Sequence, residues 1–334
     1  MPLRGQEVPE RPDQARRKAA LRQRIDVRLF TPGDGRGRDL VLPLLPPAWR
    51  EAHEQDREKM AKYSAASLAA LMGYGRSETH NKRAAVLKAA LEIDTGAPPS
   101  LASLIDLVTR PDEDLVVRVS NLGRFFQPVA EDLQTLSINF GHLLTAHGDE
   151  LDVGQLLAPS RGRTALTIIS TKLLGEASTL MFWVSRFLVD LARWLEQHPR
   201  GQLQGVALFD EADIYLPATS SPATKGPMMD LLRRARSKGF GLLLASQNPG
   251  DFDYRGRENI NTWLVGKVSQ DRSIAKMREL LGEHASVANL AAQPRGQFFL
   301  LQSPLPREVR ADRSLMETRE LNPEEVLALA RALR

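Results

Sequence analysis

The hydrophobic and polar positions divide the chain into two parts with different periods. Residues 48–157 carry apolar side chains at the three- and four-residue spacing of amphipathic helices, which predicts a mostly helical region. From residue 163 onward, short apolar runs alternate with helical patterns, which predicts strands and helices in turn. A separate strand is predicted over 26–30, where a Thr-Pro-Gly turn follows it.

The second part predicts an α/β fold. Its strand cores, such as Val206 to Phe209 and Leu242 to Ala245, are apolar at every position. Such strands are typical of a sheet that helices cover on both faces. Strands and helices that alternate at this length predict a parallel, doubly wound sheet.

The pattern suggests five regions. They are a basic N-terminal arm, a core strand with a Pro-rich connection, a helical insertion subdomain, an α/β core and a C-terminal helix. We place these regions at 1–24, 25–47, 48–157, 158–311 and 312–334. The last region contains a strong helix start, since Asn322 is a suitable N-cap and Pro323 takes the first helical position.

Composition narrows the class of protein. The 334 residues are 42% hydrophobic and 26% charged, as in ordinary globular proteins, and no apolar run reaches the roughly 20 residues of a membrane helix. The absence of cysteine excludes disulfides and thiolate metal sites, and the start lacks an apolar signal segment, so we expect a cytoplasmic protein without a membrane partner. A net charge of +4 is compatible with nucleic-acid binding, although arginine-rich composition also accompanies GC-rich coding.

Acidic residues follow one predicted strand at a place where ligands bind. In an open parallel sheet, ligands bind outside the carboxyl ends of the strands. Asp210 and Glu211 come directly after the apolar run 205–209. One carboxylate there can hold Mg²⁺ while the next activates an attacking water. The alternative is an acidic turn after a buried strand.

A second strand end carries polar residues that suit the same site. Ser246 and Gln247 follow the strand in "LLLASQN" and could sense a γ-phosphate or position a water. Between the two strand ends, a basic helix presents arginines that could reach a neighbouring subunit's phosphates. The alternatives are polarity that merely ends a strand and a solvated helix face. The arginines concerned are Arg233, Arg234 and Arg236, and Lys238 follows them.

The letters D-E-A-D at 210–213 do not predict an RNA helicase. Such a helicase needs a Ser-Ala-Thr-like element after the next strand, and this chain has Ser-Gln-Asn at 246–248. Too few residues follow position 302 for a second RecA-like lobe. We therefore interpret the last two letters of the match as coincidence.

The run from "ALFDEADIYLP" through "GLLLASQNPGDF" to "NTWLVGKVS" resembles the HerA/FtsK-type ATPases, specifically the HerA-like helicase-domain proteins. "VRLFTPG" at 27–33 is also similar to the strand and turn that precede the helical insertion of these proteins. The resemblance covers roughly residues 25–302. Its elements are Asp210-Glu211, a Pro-rich loop at 217–227, a basic helix at 231–238, the strand segment 239–249 and the segment 259–266.

The resemblance implies a RecA-like core and a set of roles. Asp210 would hold Mg²⁺, Glu211 would be the catalytic base, and Gln247 would sense the phosphate of ATP beside Ser246. Lys267 lies where some relatives carry an arginine that faces the neighbouring subunit, so the finger stays unassigned among Arg233, Arg234, Arg236 and Lys267. The family forms rings, commonly hexamers, that translocate double-stranded DNA, and many members act with nucleases.

One part of such an ATPase is absent from the sequence. A phosphate loop has the form G-x-x-x-x-G-K-[ST], and the only Gly-Lys pair here, Gly266-Lys267, is followed by valine. By the resemblance, the loop and its strand and helix lie before the point at which this sequence starts. We expect either a partner chain or a missing segment to supply them. The alternative is a non-catalytic scaffold subunit derived from such an ATPase.

Overall fold

The computed structural model describes most of the chain, and the first eleven residues of the predicted arm and part of the Pro-rich connection lie outside it. The described residues are 12–45, 49–93, 99–145, 148–160, 162–281, 290–302, 306–312, 314–316 and 318–333. The α-helices are α1 Pro12–Arg24, α2 Glu54–Leu71, α3 Glu78–Glu92, α4 Leu101–Thr109, α5 Glu113–Arg118, α6 Phe126–Thr145, α7 Val153–Leu157, α8 Ala177–Gln197, α9 Ala212–Tyr215, α10 Lys225–Arg234, α11 Asp271–Leu281 and α12 Pro323–Ala332. The strands are β1 Ile25–Phe30, β2 Leu40–Val41, β3 Asp149–Glu150, β4 Thr164–Ile169, β5 Gly205–Phe209, β6 Phe240–Leu244, β7 Trp263–Val265, β8 Gln297–Leu301 and β9 Arg307–Arg310.

The helix ends follow local sequence signals. Gly73, just beyond α2, has a φ of 71°, which glycine adopts without steric cost. Ser77 caps α3, because its hydroxyl accepts a hydrogen bond from the backbone N–H of His80. Asn322 and Glu325 form a reciprocal capping box at the start of α12. The predicted start of the last helix is confirmed.

Two parallel strand pairs form the centre of the fold. β1 pairs with β4 over their whole length, so the helices α2 to α6 occupy the chain between two adjacent strands. β5 pairs with β6 in the same parallel sense, from Gly205 opposite Phe240 to Phe209 opposite Leu244. The predicted α/β class is confirmed.

The last three strands differ from the expected parallel arrangement. β7, β8 and β9 form an antiparallel sheet in that order. Leu301 and Arg307 are too close in sequence for a parallel crossover, which needs about a dozen residues or more. The pattern also missed β9, because its sequence Arg-Glu-Val-Arg is almost entirely polar.

A buried ion pair ties α8 to the helical region. The guanidinium of Arg186 is fully buried and donates hydrogen bonds to the hydroxyl of Ser64 on α2 and to the carbonyl of Pro43, the latter at 3.0 Å. Asp190, one turn further along α8, lies 3.7 Å from the same guanidinium. Burial raises the pKa of Asp190 to about 6, although Arg186 and Arg193 oppose this rise.

One hydrophobic core runs from the helical region to one face of the parallel strands. It includes Leu68 of α2, Phe182 and Leu188 of α8, and Phe240 of β6. Packing of α2 on α8 makes the helical region and the sheet continuous through this core. The predicted insertion is therefore closely packed against the strands that flank it in sequence.

The opposite face of these strands is largely uncovered in the described part of the protein. We call its exposed apolar side chains the open face, and each of them is 40% to 65% exposed. They are Leu166, Ile168, Val206, Leu208 and Leu243. α12 covers only β1, where Val326 and Ala330 pack on Leu29. The expectation that helices cover both faces is therefore wrong for the described residues.

Candidate functional site

The carboxyl ends of β5 and β6 lie side by side and carry the predicted site. The backbone N–H of Ala245 donates to the carbonyl of Phe209 at 2.9 Å, and that of Ala212 donates to the carbonyl of Ala245 at 2.8 Å. These bonds continue the strand pairing into the segments that follow it. The structure thus brings Asp210, Glu211 and Ser246 to one edge of the sheet, as expected from the rule for parallel strands.

Glu211 occupies a strained backbone conformation at this edge. Its φ of 51° and ψ of 45° are left-handed, and it is the only described residue other than glycine with a positive φ. Such a conformation is costly for a side chain with a Cβ and clusters at functional sites. The turn makes the Glu211 N–H donate to the Asp210 carboxylate at 3.1 Å, and both side chains remain exposed.

Asp213 belongs to the candidate site, although the sequence pattern did not indicate it. It is only 8% exposed and accepts a hydrogen bond from the Ser246 hydroxyl at 2.7 Å. The amide nitrogen of Asn248 donates to its second carboxylate oxygen at 3.3 Å. The signal in the sequence was an acidic residue within the otherwise apolar stretch 212–216 that follows β5. Ser246 is therefore held by Asp213, while Gln247 lies exposed next to it.

A buried lysine fixes the loop that follows this site. The ammonium of Lys225 donates to the carbonyls of Pro217 and Ser220 at 2.6 and 2.9 Å, and it lies 2.8 Å from the Asp253 carboxylate. Hydrogen bonds from Arg255 and from Lys225 hold the pKa of Asp253 well below its ordinary value. The Pro-rich loop is thus a fixed wall on one side of the strand ends.

Tyr215 lies under the acidic turn. Burial raises the pKa of its hydroxyl, and the carboxylates of Glu211 and Asp210 raise that pKa further. A hydrogen bond with Thr171, which follows β4, has the opposite effect. The end of β4 is therefore next to the segment that follows β5.

The basic cluster lies at the other end of the strands. Arg233, Arg234 and Arg236 immediately precede the amino end of β6, whereas Asp210 follows the carboxyl end of β5. Five paired residues separate these ends by roughly 13 Å along the sheet. Arg234 and Lys238 pair with Glu196 at 3.7 and 2.5 Å.

Lys267, the fourth finger candidate, is exposed just after β7. The structure thus does not bring the basic cluster together with the acidic pair of the same chain.

Two cavities lie elsewhere in the fold. One, of about 1040 Å³, lies between β1, β3 and α8, and the other, of about 360 Å³, lies between α2, α8 and α10. Neither is lined by Asp210, Glu211, Ser246 or Gln247. The strand ends form an open edge in the described residues, so the acidic pair is accessible from solvent.

The acidic edge fits a hard cation. Mg²⁺ prefers oxygen ligands and usually binds through one or two carboxylates with water and phosphate oxygens. Asp210 and Glu211 supply exposed carboxylates, and neither forms an ion pair with a cationic side chain in the part of the chain that the structure describes. Mg²⁺ bound here would polarise phosphate oxygens of a nucleotide.

No protein-family model and no curated protein sequence matches this chain. Solved structures do match it. The structure of VirB4 of Thermoanaerobacter pseudethanolicus is 15% identical over 88% of this chain and 83% of its own, with a TM-score of 0.57. The unbound form of the bacterial conjugative coupling protein TrwB is 13% identical over 94% and 85%, with a TM-score of 0.53. TrwB in complex with a non-hydrolysable ATP analogue gives 14% identity over 93% and 89%, with a TM-score of 0.52.

These likenesses establish the fold. The chain has the α/β fold of VirB4 and TrwB, which is the fold of the RecA-like P-loop ATPases. The fold implied by the sequence resemblance is confirmed. No helix in the described residues combines the length and the apolar character that crossing a bilayer requires.

Proposed function

We propose that this chain is part of an ATPase that couples Mg-ATP hydrolysis to the translocation or processing of DNA. The observation that carries the proposal is the pair Asp210 and Glu211 on a strained turn at the carboxyl end of β5, beside Ser246 and Gln247 at the end of β6. A glycine at position 211 would adopt the left-handed backbone with less strain. The presence of a strained glutamate there therefore supports a functional role for its side chain.

The geometry supports a distinct role for each residue. Asp210 holds Mg²⁺, and Glu211 accepts a proton from the attacking water. Ser246 and Gln247 contact the γ-phosphate of ATP, and Asp213 fixes the position of Ser246. The neighbour TrwB has been solved with ADP and Mg²⁺, which is consistent with these ligands.

A ring of subunits would complete the site. Arg233, Arg234 and Arg236 lie at the far end of the strands from Asp210, so any finger among them has to act on the nucleotide of another subunit. Lys267 is the fourth candidate for this role. We propose a homo-oligomeric ring, commonly a hexamer in the family, with double-stranded DNA as its substrate and a nuclease as a further partner.

The proposal is tested on the full chain, tagged and isolated from its source cells together with its associated proteins. We expect Mg-ATP hydrolysis in the wild-type preparation and its loss in Glu211→Gln, with Glu308→Gln on β9 as a control of the same chemistry on an exposed strand. Hydrolysis that persists unchanged in Glu211→Gln would overturn the assigned roles. Absence of any hydrolysis in the wild type would favour the alternative function, a non-catalytic scaffold subunit.

A further inference from the structure

The larger of the two cavities has one wall that is formed by a single face of α8. Four side chains on this wall follow the three- and four-residue spacing that places them on the same side of a helix. They are Asp190, Arg193, Trp194 and Gln197. The other walls are β1, β2, β3 and α7, and the volume of about 1040 Å³ is at the upper end of the range for small-molecule sites.

Two charged groups on the α8 wall lack the hydrogen bonds that buried polar groups normally form. Asp190 is only 8% exposed, and neither of its carboxylate oxygens accepts a hydrogen bond from a residue that the structure describes. The guanidinium of Arg186 lies 3.7 Å away, which is beyond hydrogen-bonding distance. The Nε of Arg193 is also buried and donates to no described acceptor. Because buried polar groups almost always have a partner, this pair indicates a ligand.

The charged side chains on the opposite wall already have partners. Arg28 of β1 donates to the carboxylate of Asp26 at 3.0 Å and to the carbonyl of Gln155 at 2.7 Å. Arg38 donates to the carboxylate of Asp149 at 2.6 Å. A ligand in the cavity therefore finds its unpaired donors and acceptors on α8.

The unpaired atoms define the chemistry of the ligand. The pKa of Asp190 is about 6, so its carboxylate is mostly ionised at neutral pH and offers two acceptors. Arg193, three positions further along α8, offers a donor. A cationic ligand is disfavoured, because the charges of Arg186 and Arg193 already act on this carboxylate. The set fits a neutral group with two adjacent N–H donors and one carbonyl acceptor.

The Watson–Crick edge of guanine has this pattern in its N2–H, N1–H and O6 atoms, and adenine, cytosine and uracil each have another. We propose that the cavity binds the guanine base of a free nucleoside, with Asp190 accepting from N1 and N2 and Arg193 donating to O6. Trp194 provides an aromatic surface on the same wall, and its indole stacks on His198 at 4.7 Å. The carboxylate oxygens are shielded from solvent, so the half-buried side chain of Arg193 has to rotate as the base enters.

Base selectivity of the full chain tests the pattern of donors and acceptors. Equilibrium dialysis compares guanosine, inosine and adenosine, none of which carries a phosphate. Inosine lacks the N2 amino group, and we expect it to bind about tenfold to 100-fold more weakly than guanosine, the factor for one hydrogen bond to a charged group. We expect adenosine to bind more weakly still. Equal affinities, or no binding of guanosine, would overturn the proposal.

Asp190→Asn is expected to change the specificity of the cavity as well as its affinity. The amide has one donor and one acceptor, which match O2 and N1–H of xanthine. Guanosine should therefore bind at least about tenfold more weakly, and xanthosine should become the preferred nucleoside. Asp106→Asn, on the exposed side of α4, is expected to keep the preference for guanosine. A folded Asp190→Asn variant that still prefers guanosine contradicts the assigned contacts.

Arg193→Met provides a second variant if Asp190→Asn does not fold. It removes the donor to O6 and keeps an unbranched side chain, so we expect guanosine to bind at least about tenfold more weakly while the circular dichroism spectrum is unchanged. Arg110→Met, exposed on α4, is the matched control and should bind guanosine as the wild type does. Unchanged binding in Arg193→Met would overturn the proposal.

Two further measurements separate the cavity from other sources of guanosine binding. Glu211→Gln, in the proposed ATP site, is expected to leave the affinity for guanosine unchanged, and a loss of binding in this variant would place the nucleoside at the strand ends. An oligothymidine that contains one guanine should not displace guanosine at an equal concentration. Displacement would assign the cavity to nucleic acid, and either result would overturn the proposal.

Discussion

The hydroxyl of Ser246 donates a 2.7 Å hydrogen bond to the carboxylate of Asp213, and this bond joins the segments that follow β6 and β5. Asp213 is almost fully buried, so its carboxylate oxygens need the donors that Ser246 and Asn248 supply. The bond fixes one polar residue of the proposed phosphate site relative to the acidic turn. The two strand ends are therefore linked by a side-chain bond as well as by backbone pairing.

Removal of the Ser246 hydroxyl is expected to destabilise the protein. Ser246→Ala leaves Asp213 with the longer bond from Asn248, and loss of a hydrogen bond to a charged group costs about 1.5 to 3 kcal/mol. Urea unfolding of the two proteins measures the difference. Ser237→Ala, which removes an exposed bond to a backbone carbonyl, is the matched control and is expected to cost less than about 0.5 kcal/mol. Equal losses of unfolding free energy in the two variants would show that the Ser246 bond contributes no more to stability than the exposed bond of Ser237.

Because the backbone of Glu211 is left-handed, we expect glycine at this position to give a more stable protein than alanine, which is the reverse of their order within a helix. At position 211 we expect the glycine variant to be more stable than the alanine variant by about 1 kcal/mol, since only alanine has a Cβ that strains this conformation. At Glu131, exposed within α6, alanine is expected to be more stable than glycine by about the same amount. The free energies of unfolding of these four variants test the strain. The same sign at both positions contradicts it.

Loss of the proposed base is expected to affect hydrolysis more than nucleotide binding. In the isolated assembly, Glu211→Gln should lower the rate of ATP hydrolysis by about 100-fold or more, since positioned general bases contribute about 10² to 10⁴. Equilibrium binding of a fluorescent ATP analogue should change little, because the amide keeps the size of the side chain. A parallel loss of binding and hydrolysis would instead assign Glu211 to ground-state binding.

The buried Asp190 is expected to make stability fall with rising pH. Its pKa is about 6 in the folded protein, against an ordinary value of 3.8, so the folded state binds the proton more tightly than the unfolded chain. The free energy of unfolding should therefore fall as pH rises from about 4 to about 6, by on the order of 1.4 kcal/mol for each unit of the pKa shift. The low pKa of Asp253 acts in the opposite direction, and its contribution is lost only below this window.

The measurement compares urea unfolding of the wild type and of Asp190→Asn at several values between pH 4.5 and 7. The stability of the variant relative to the wild type should rise with pH across this range, because the amide does not ionise. Asp106→Asn, which makes the same replacement on the exposed side of α4, is the matched control. Identical slopes for Asp190→Asn and the wild type would rule out Asp190 as the titrating group.

Local signals made the secondary structure predictable. Ser77 and Asn322 cap helices as their sequence contexts indicate, and Gly73 ends α2 in the left-handed conformation. These features depend on backbone groups within a few residues, which is the range that a sequence pattern reports. β9 escaped prediction because an edge strand is held by its pairing with β8, and its own side chains are polar.

The site was predictable in part. Asp210, Glu211 and Ser246 could be brought together from sequence, because parallel strands present their carboxyl ends at one edge. The partner of Ser246 could not, since a hydrogen bond across 33 positions depends on how two turns fold against each other. The same reason hid the ion pair between Lys225 and Asp253, and the position of Arg233 at the far end of the strands.

The sequence by itself determined the α/β class, most helices and strands, and the acidic residues that end β5. Its apolar strands also predicted that helices pack on both faces of the sheet. Only the tertiary structure decided which face is covered, that the last strands are antiparallel, and that Asp213 lies in the candidate site beside Ser246. The physical reason is that the periodicity of apolar residues predicts which side chains are buried. Which element buries them depends on packing between residues that are far apart in sequence.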